Sequence, residues 1–138
     1  PGLVERRGRV GILSSVAGFG PLVNRSAYAA SKHGVHGWFE SLRAEMAGDG
    51  VSVTIVAPSF TATGIESRAA HRAAGADGDW STTGAVLTPE QVAHAVVAGM
   101  DRRARLVLPS RTARLAHLVA RLAPATYERT MRRRILGS

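Results

Sequence analysis

The chain of 138 residues contains no cysteine. That excludes disulfides, thiolate metal sites and a cysteine nucleophile, and it fits a reducing compartment. There is also no run of 18 or more apolar residues, so no segment reads as a transmembrane helix. Residues 1–10 are polar, basic and broken by glycine, without the apolar stretch of a secretory signal. On these grounds the expected location is cytoplasmic. Of the five histidines only His33 and His36 lie close in sequence, and no carboxylate completes a ligand set, so no metal is expected. Lysine is the last scarcity. Seventeen of the eighteen basic residues are arginine, and Lys32 is the only lysine.

The apolar fraction of 45% is ordinary for a globular protein, and the length suits one compact domain. The net charge of +8 is unevenly placed. Residues 1–100 carry eight basic and eight acidic side chains, whereas residues 101–138 carry ten arginines against Asp101 and Glu128. The excess therefore belongs to the tail.

Residues 1–7 read as the end of a helix closed by Gly8. Arg9–Ser14, with Val10, Ile12 and Leu13, suits a short buried parallel strand, and Gly18, Gly20 and Pro21 then break the chain into a loop. A helix is expected from Ser26, as N-cap, to about Ala47, with Val35, Trp38, Phe39, Leu42 and Met46 as its core stripe. The β-branched run Val51–Ala57 reads as a second buried strand stopped by Pro58. Residues 59–87 lack a period and have the length of a lid, a binding loop or a disordered stretch, with Trp80 as their large anchor. Thr88-Pro89-Glu90-Gln91 opens a helix that runs to about Arg103, and Arg105–Leu108 reads as a third strand. Alternation of this kind predicts an α/β fold with a parallel sheet covered by helices on both faces.

In such sheets ligands bind beyond the carboxyl ends of the strands. Ser15 follows the first strand, and Pro58–Thr63 follows the second. Tyr28 and Lys32 sit near the start of the intervening helix, and their i, i+4 spacing puts both side chains on one face. A phenol is a poor base near neutral pH, and a neighbouring ammonium favours the phenolate. Lysine is a compact point charge that also donates hydrogen bonds to sugar hydroxyls, a task for which arginine is not equivalent. A chain that uses arginine everywhere else keeps lysine at this one place.

Tyr28-Ala-Ala-Ser-Lys32 resembles the YxASK pattern of classical short-chain dehydrogenases/reductases. Ser15, thirteen residues before Tyr28, lies in a segment similar to that family's serine segment, and Pro58-Ser59-Phe60-Thr61-Ala62-Thr63 resembles its PGxxxT segment. The likeness covers residues 1 to about 110 with order and spacing intact. It implies a Rossmann-type doubly wound parallel sheet over residues 1–110, followed by a basic amphipathic helical tail over 111–138. It further implies an NAD(P)-dependent oxidoreductase acting on a small-molecule alcohol or carbonyl, with NAD or NADP as cofactor, homo-oligomeric when complete. By the resemblance, Tyr28 exchanges the proton with the substrate oxygen and Lys32 supports the phenolate and holds the ribose hydroxyls. Ser15 binds the substrate oxygen, Thr61 and Thr63 contact the nicotinamide end of the cofactor, and Pro58 shapes the turn. A lid over about Gly64–Gly84 closes on the substrate.

Two departures stand out. Ser59 occupies the usual glycine position of the proline-glycine pair, which would stiffen the turn or shift the nicotinamide slightly. The glycine-rich nucleotide fingerprint is absent, and Gly18-Phe19-Gly20 is no substitute. With Pro1 in place of a starting methionine, the expectation is a C-terminal portion of a longer enzyme, incomplete at its N-terminal nucleotide-binding half and inactive alone. The rival reading is a non-catalytic fragment, or a membrane-surface or partner-binding module, that retains the scaffold. A hydrolase is disfavoured because no G-x-S-x-G elbow occurs.

In the tail, Leu115, Leu118, Val119 and Leu122 share one helix face beside Arg111, Arg114 and Arg121, and Pro124 breaks the helix. Tyr127, Met131 and Ile135 then recur at i, i+4. A basic amphipathic helix can pack on the core, border the substrate pocket, meet another subunit or lie on an anionic membrane surface. Nucleic acid is not an expected partner, since the basic patch lacks aromatic stacking platforms and a known motif.

Overall fold

The computed structural model describes residues 2–62, 84 and 86–137. Three parallel strands form one sheet in the order β1 (Arg9–Leu13), β2 (Ser52–Val56) and β3 (Leu106–Val107). Val10 pairs with Val53 and Ile12 with Ile55, and Val56 pairs with Val107 on the other side. The short helix α1 (Gly2–Glu5) precedes β1, and a single 3₁₀ turn (Val16–Gly18) follows it. Helix α2 (Ser26–Glu45) joins β1 to β2, and α3 (Pro89–Asp101) precedes β3. Helices α4 (Arg111–Leu122) and α5 (Pro124–Leu136) close the chain. The α/β class and the parallel sheet inferred from alternation are those observed.

β2 is the centre of the core because it is paired on both edges. Val53 and Ile55 are 1% exposed and Val56 is fully buried. Successive strand residues face opposite ways. Thr54 points to α3, where Gly99 sits against Thr54 and Val107, and Gly11 of β1 lies under Met100 and Val96. Val53 and Ile55 point the other way, and α2 packs on β2.

Helix α3 starts as its sequence predicts. The Thr88 hydroxyl accepts from the Gln91 backbone N–H at 3.3 Å, and the Gln91 side chain accepts from the Thr88 N–H at 2.9 Å. This reciprocal cap satisfies two backbone donors that a helix start otherwise leaves free. Pro89 at the first position loses nothing, since its missing N–H has no helical partner there.

Three expectations are corrected. β1 is not buried. It pairs with β2 alone among the described residues, and Leu13 is 58% exposed. Ser26 does not cap α2: the capping position is Arg25, with no side-chain cap bond. Trp38 is not core but 62% exposed, stacked edge-to-face on Phe39 at 4.5 Å between centroids. The inward line of α2 runs through Ala29, Lys32, His36, Phe39 and Arg43, and 100° per residue turns position 38 away from it. His36, on that inward line, is buried.

Candidate functional site at the carboxyl edge of the sheet

Ser15 leaves β1 in an extended conformation and caps the 3₁₀ turn. Its hydroxyl accepts from the Ala17 N–H at 3.2 Å, and the residue is buried. The turn is tied to the neighbouring segment through the backbone. Ser14 N–H donates to the Val56 carbonyl at 2.8 Å and Val16 N–H to the Pro58 carbonyl at 3.1 Å. The serine and proline segments, far apart in sequence, are thus sewn together at the ends of β1 and β2. Pro58 is buried. Thr61 is half-buried and held by a parallel bridge to Leu87, with Ala62 N–H donating to the Leu87 carbonyl and Leu87 N–H to the Phe60 carbonyl. Thr63, most of the expected lid and Trp80 lie outside the described residues.

Tyr28 sits in the first turn of α2 with its side chain accessible, 44% exposed. One turn on, the Lys32 ammonium lies 5.6 Å from the centre of the Tyr28 ring. Lys32 is half-buried, and no carboxylate pairs with it among the described residues, where the ion pairs are Arg9–Asp101 and Arg43–Glu40. A cation in this position can still donate to an outside acceptor.

What holds α2 against the serine segment was not legible as a motif. A Cβ on Gly18 would stand 2.4 Å from the His36 ring and 3.0 Å from the Lys32 carbonyl. Only glycine permits that approach. The edge of Phe19 meets His36 on one side, 6.1 Å between centroids, and His117 of α4 on the other, at 4.7 Å. Tyr127 of α5 is buried against Gly20, where a Cβ would stand 2.7 Å from its ring. The segment after Ser15 is therefore clamped by three helices. Residues Gly18 and Gly20, noticed in the sequence only as breakers, are sites of close packing.

Burial holds the His36 imidazole below the ordinary histidine pKa. The nearby cationic or titratable groups His33, His117 and Lys32 add to this, while Glu40 opposes it. Burial raises the Tyr127 hydroxyl, with Arg134 opposing. Both side chains thus stay neutral in the clamp at neutral pH. Ser59 has a specific partner: its hydroxyl shares a 2.9 Å hydrogen bond with Ser110, whose oxygen caps α4 by accepting from the Ala113 N–H at 3.0 Å. The serine in the glycine position thereby fastens the Pro58 segment to the start of α4.

Ser15, Tyr28, Lys32, Pro58 and Thr61 therefore all belong to the carboxyl-edge region of the sheet. Comparisons with known proteins bear on the family and the fold. A family model described as short chain dehydrogenase matches residues 2–74. The Dehydrogenase/reductase SDR family protein 7-like of Anopheles gambiae is 33% identical over 135 residues, covering 96% of this chain and 42% of that protein. The Dehydrogenase/reductase SDR family member 7B of Xenopus laevis is 35% identical over 136 residues, covering 92% of this chain and 40% of that protein. The chain thus spans about 42% of the length of such curated relatives. A short-chain dehydrogenase from Sphingobium yanoikuyae in complex with NADPH superposes with a TM-score of 0.65 at 29% identity, covering 94% of this chain and 46% of that one. One from Burkholderia cenocepacia in complex with NADP reaches 0.77 at 18% identity, over 95% of this chain and 50% of that one, and shares the fold.

Proposed function

The chain belongs to the short-chain dehydrogenase family, and on that premise we propose that the complete protein is an NAD(P)-dependent oxidoreductase that interconverts a small-molecule alcohol and a carbonyl. The observation that carries the reading is the accessible Tyr28 with the Lys32 ammonium 5.6 Å from its ring centre, on the helix clamped against the Ser15 segment. Lys32, without a carboxylate partner among the described residues, has donors free for ribose hydroxyls, so the residues present fit a nicotinamide dinucleotide. That cofactor would accept or supply the hydride.

In this reading Tyr28 moves the proton at its phenolic oxygen, giving it to a carbonyl oxygen or taking it from an alcohol. Lys32 supports the phenolate that forms when the proton leaves, a role supported by its ammonium lying 5.6 Å from the centre of the Tyr28 ring. Ser15 orients the substrate oxygen. Its hydroxyl already accepts from Ala17 N–H, which leaves its own O–H free to donate toward developing negative charge. Pro58 and Thr61, fixed by the Val16 and Leu87 backbone bonds, would hold the nicotinamide end of the cofactor, a role that the family resemblance extends to Thr63.

Tyr28→Phe in the complete protein tests this. Turnover should fall by about 10²–10⁴-fold, the range for loss of a positioned general acid or base. NAD(P)H affinity, followed by fluorescence titration, should hold. Turnover equal to that of the unsubstituted protein would remove Tyr28 from the chemistry and the reading with it.

A further inference from the structure

Helix α4 is amphipathic in an inverted sense. Its inward side carries three alanines and one imidazole: Ala113 is fully buried, Ala116 and Ala120 are half-buried, and His117 packs on Phe19. Its largest apolar side chains point out. Leu115, Leu118 and Leu122 are 63%, 55% and 74% exposed. Their spacing of three and four residues makes one continuous ridge. Arg111, Arg114 and Arg121, all exposed, lie on or beside that ridge. Helix α5 continues the pattern, with Arg129 and Arg132–Arg134 exposed and Ile135 and Leu136 also in the open.

The charge of this surface has one sign. Residues 111–138 carry seven arginines and one acidic residue, Glu128. No carboxylate pairs with any of these arginines among the described residues, and Arg114 and Arg129 donate to the Leu108 and Ala125 carbonyls instead. A second copy of the chain meeting this face about a two-fold axis would bring arginine against arginine. An anionic lipid surface offers what the face lacks on both counts: an apolar layer for the leucines and phosphates or carboxylates for the guanidinium groups. No helix among the described residues is long and apolar enough to cross a membrane.

We propose that α4 lies along an anionic membrane surface, its leucine ridge at the acyl boundary and its arginines at the level of the headgroups, with the arginines of α5 adding to the attraction. This is independent of the oxidoreductase reading.

Co-flotation of the 138-residue chain with phosphatidylcholine vesicles, with and without phosphatidylserine, tests it. The chain should float with the phosphatidylserine vesicles, far less with pure phosphatidylcholine, and less in high salt. Replacing the ridge, Leu115→Ser with Leu118→Ser and Leu122→Ser, should lower the partition at least ~10-fold. The absence of cysteine permits a second, single-site measurement. An environment-sensitive dye on Leu118→Cys should brighten and shift blue on phosphatidylserine vesicles. The same dye on Val97→Cys, an exposed position of α3, should not. No flotation, flotation unaffected by loss of the ridge, or a dye on position 118 that reports no apolar surroundings on vesicles would each overturn the proposal. So would a blue-shifted dye without vesicles: if the shift grows with protein concentration, a second copy covers the ridge.

Discussion

Helices α3 and α4 are nearly the same length and both begin on a hydroxyl cap, Thr88 and Ser110, yet they spend their apolar residues in opposite ways. α3 turns Val92, Val96, Gly99 and Met100 to the sheet, as a helix does when a core face is there to receive it. α4 turns alanines and His117 inward, leaves its leucines in the open, and touches the 3₁₀ turn and α5. Periodicity states that a helix has an apolar stripe and leaves undetermined what the stripe meets. In α3 the stripe builds the scaffold that supports the site, whereas in α4 the small residues do that work and the stripe is available to something outside.

The comparison can be broken or sharpened by substitution. The largest stability effect should come from the sheet. Ile55→Ala should cost about 2–5 kcal/mol in a denaturant titration, because Ile55 is 1% exposed and the cavity would be only partly closed. The caps come next. Thr88→Ala should cost about 1 kcal/mol, and Ser110→Ala more, up to about 2 kcal/mol, because Ser110 is buried and also bonds Ser59. Equal losses at the two caps would mean that the Ser59 bond contributes nothing.

The buried imidazole of the clamp gives a pH signature. The pKa of His36 is lowered in the folded chain, so the unfolded chain binds the proton first as pH falls. The stability contributed by keeping His36 neutral is complete above the ordinary histidine value near 6.5 and is lost as pH falls from there through the lowered folded value. The thermal midpoint should therefore drop between neutral pH and about pH 5. His36→Leu should flatten that drop, and an unchanged slope would place the titration elsewhere. The smallest effect belongs to the outer ridge. Leu118→Ala should alter stability by no more than about 0.5 kcal/mol. A loss approaching that of Ile55→Ala would show the ridge to be core after all.

Much of the site was legible because it is local. Tyr28 and Lys32 share a helix face by spacing alone, and Thr88, Pro89 and Gln91 announce a helix start through bonds that span three residues. The clamp was not legible. Phe19, His36, His117 and Tyr127 are brought together from a loop and three helices, and no short-range rule relates them. Trp38 shows the complementary error. It is apolar and correctly spaced for a stripe, but the side of α2 that meets Gly18 carries His36, and the indole two residues on faces outward.

The sequence by itself thus determined the order of strands and helices, the capped start of α3 and the placing of Tyr28 and Lys32 one turn apart, since each depends on side chains within a few turns of one another. Only the tertiary structure decided that β1 is half-exposed, that Ser59 is tied to α4 through Ser110, that His36 is buried, and that the leucines of α4 face out. These depend on which surfaces are left once the sheet has taken its partners, a quantity that belongs to the assembled chain and to no segment of it.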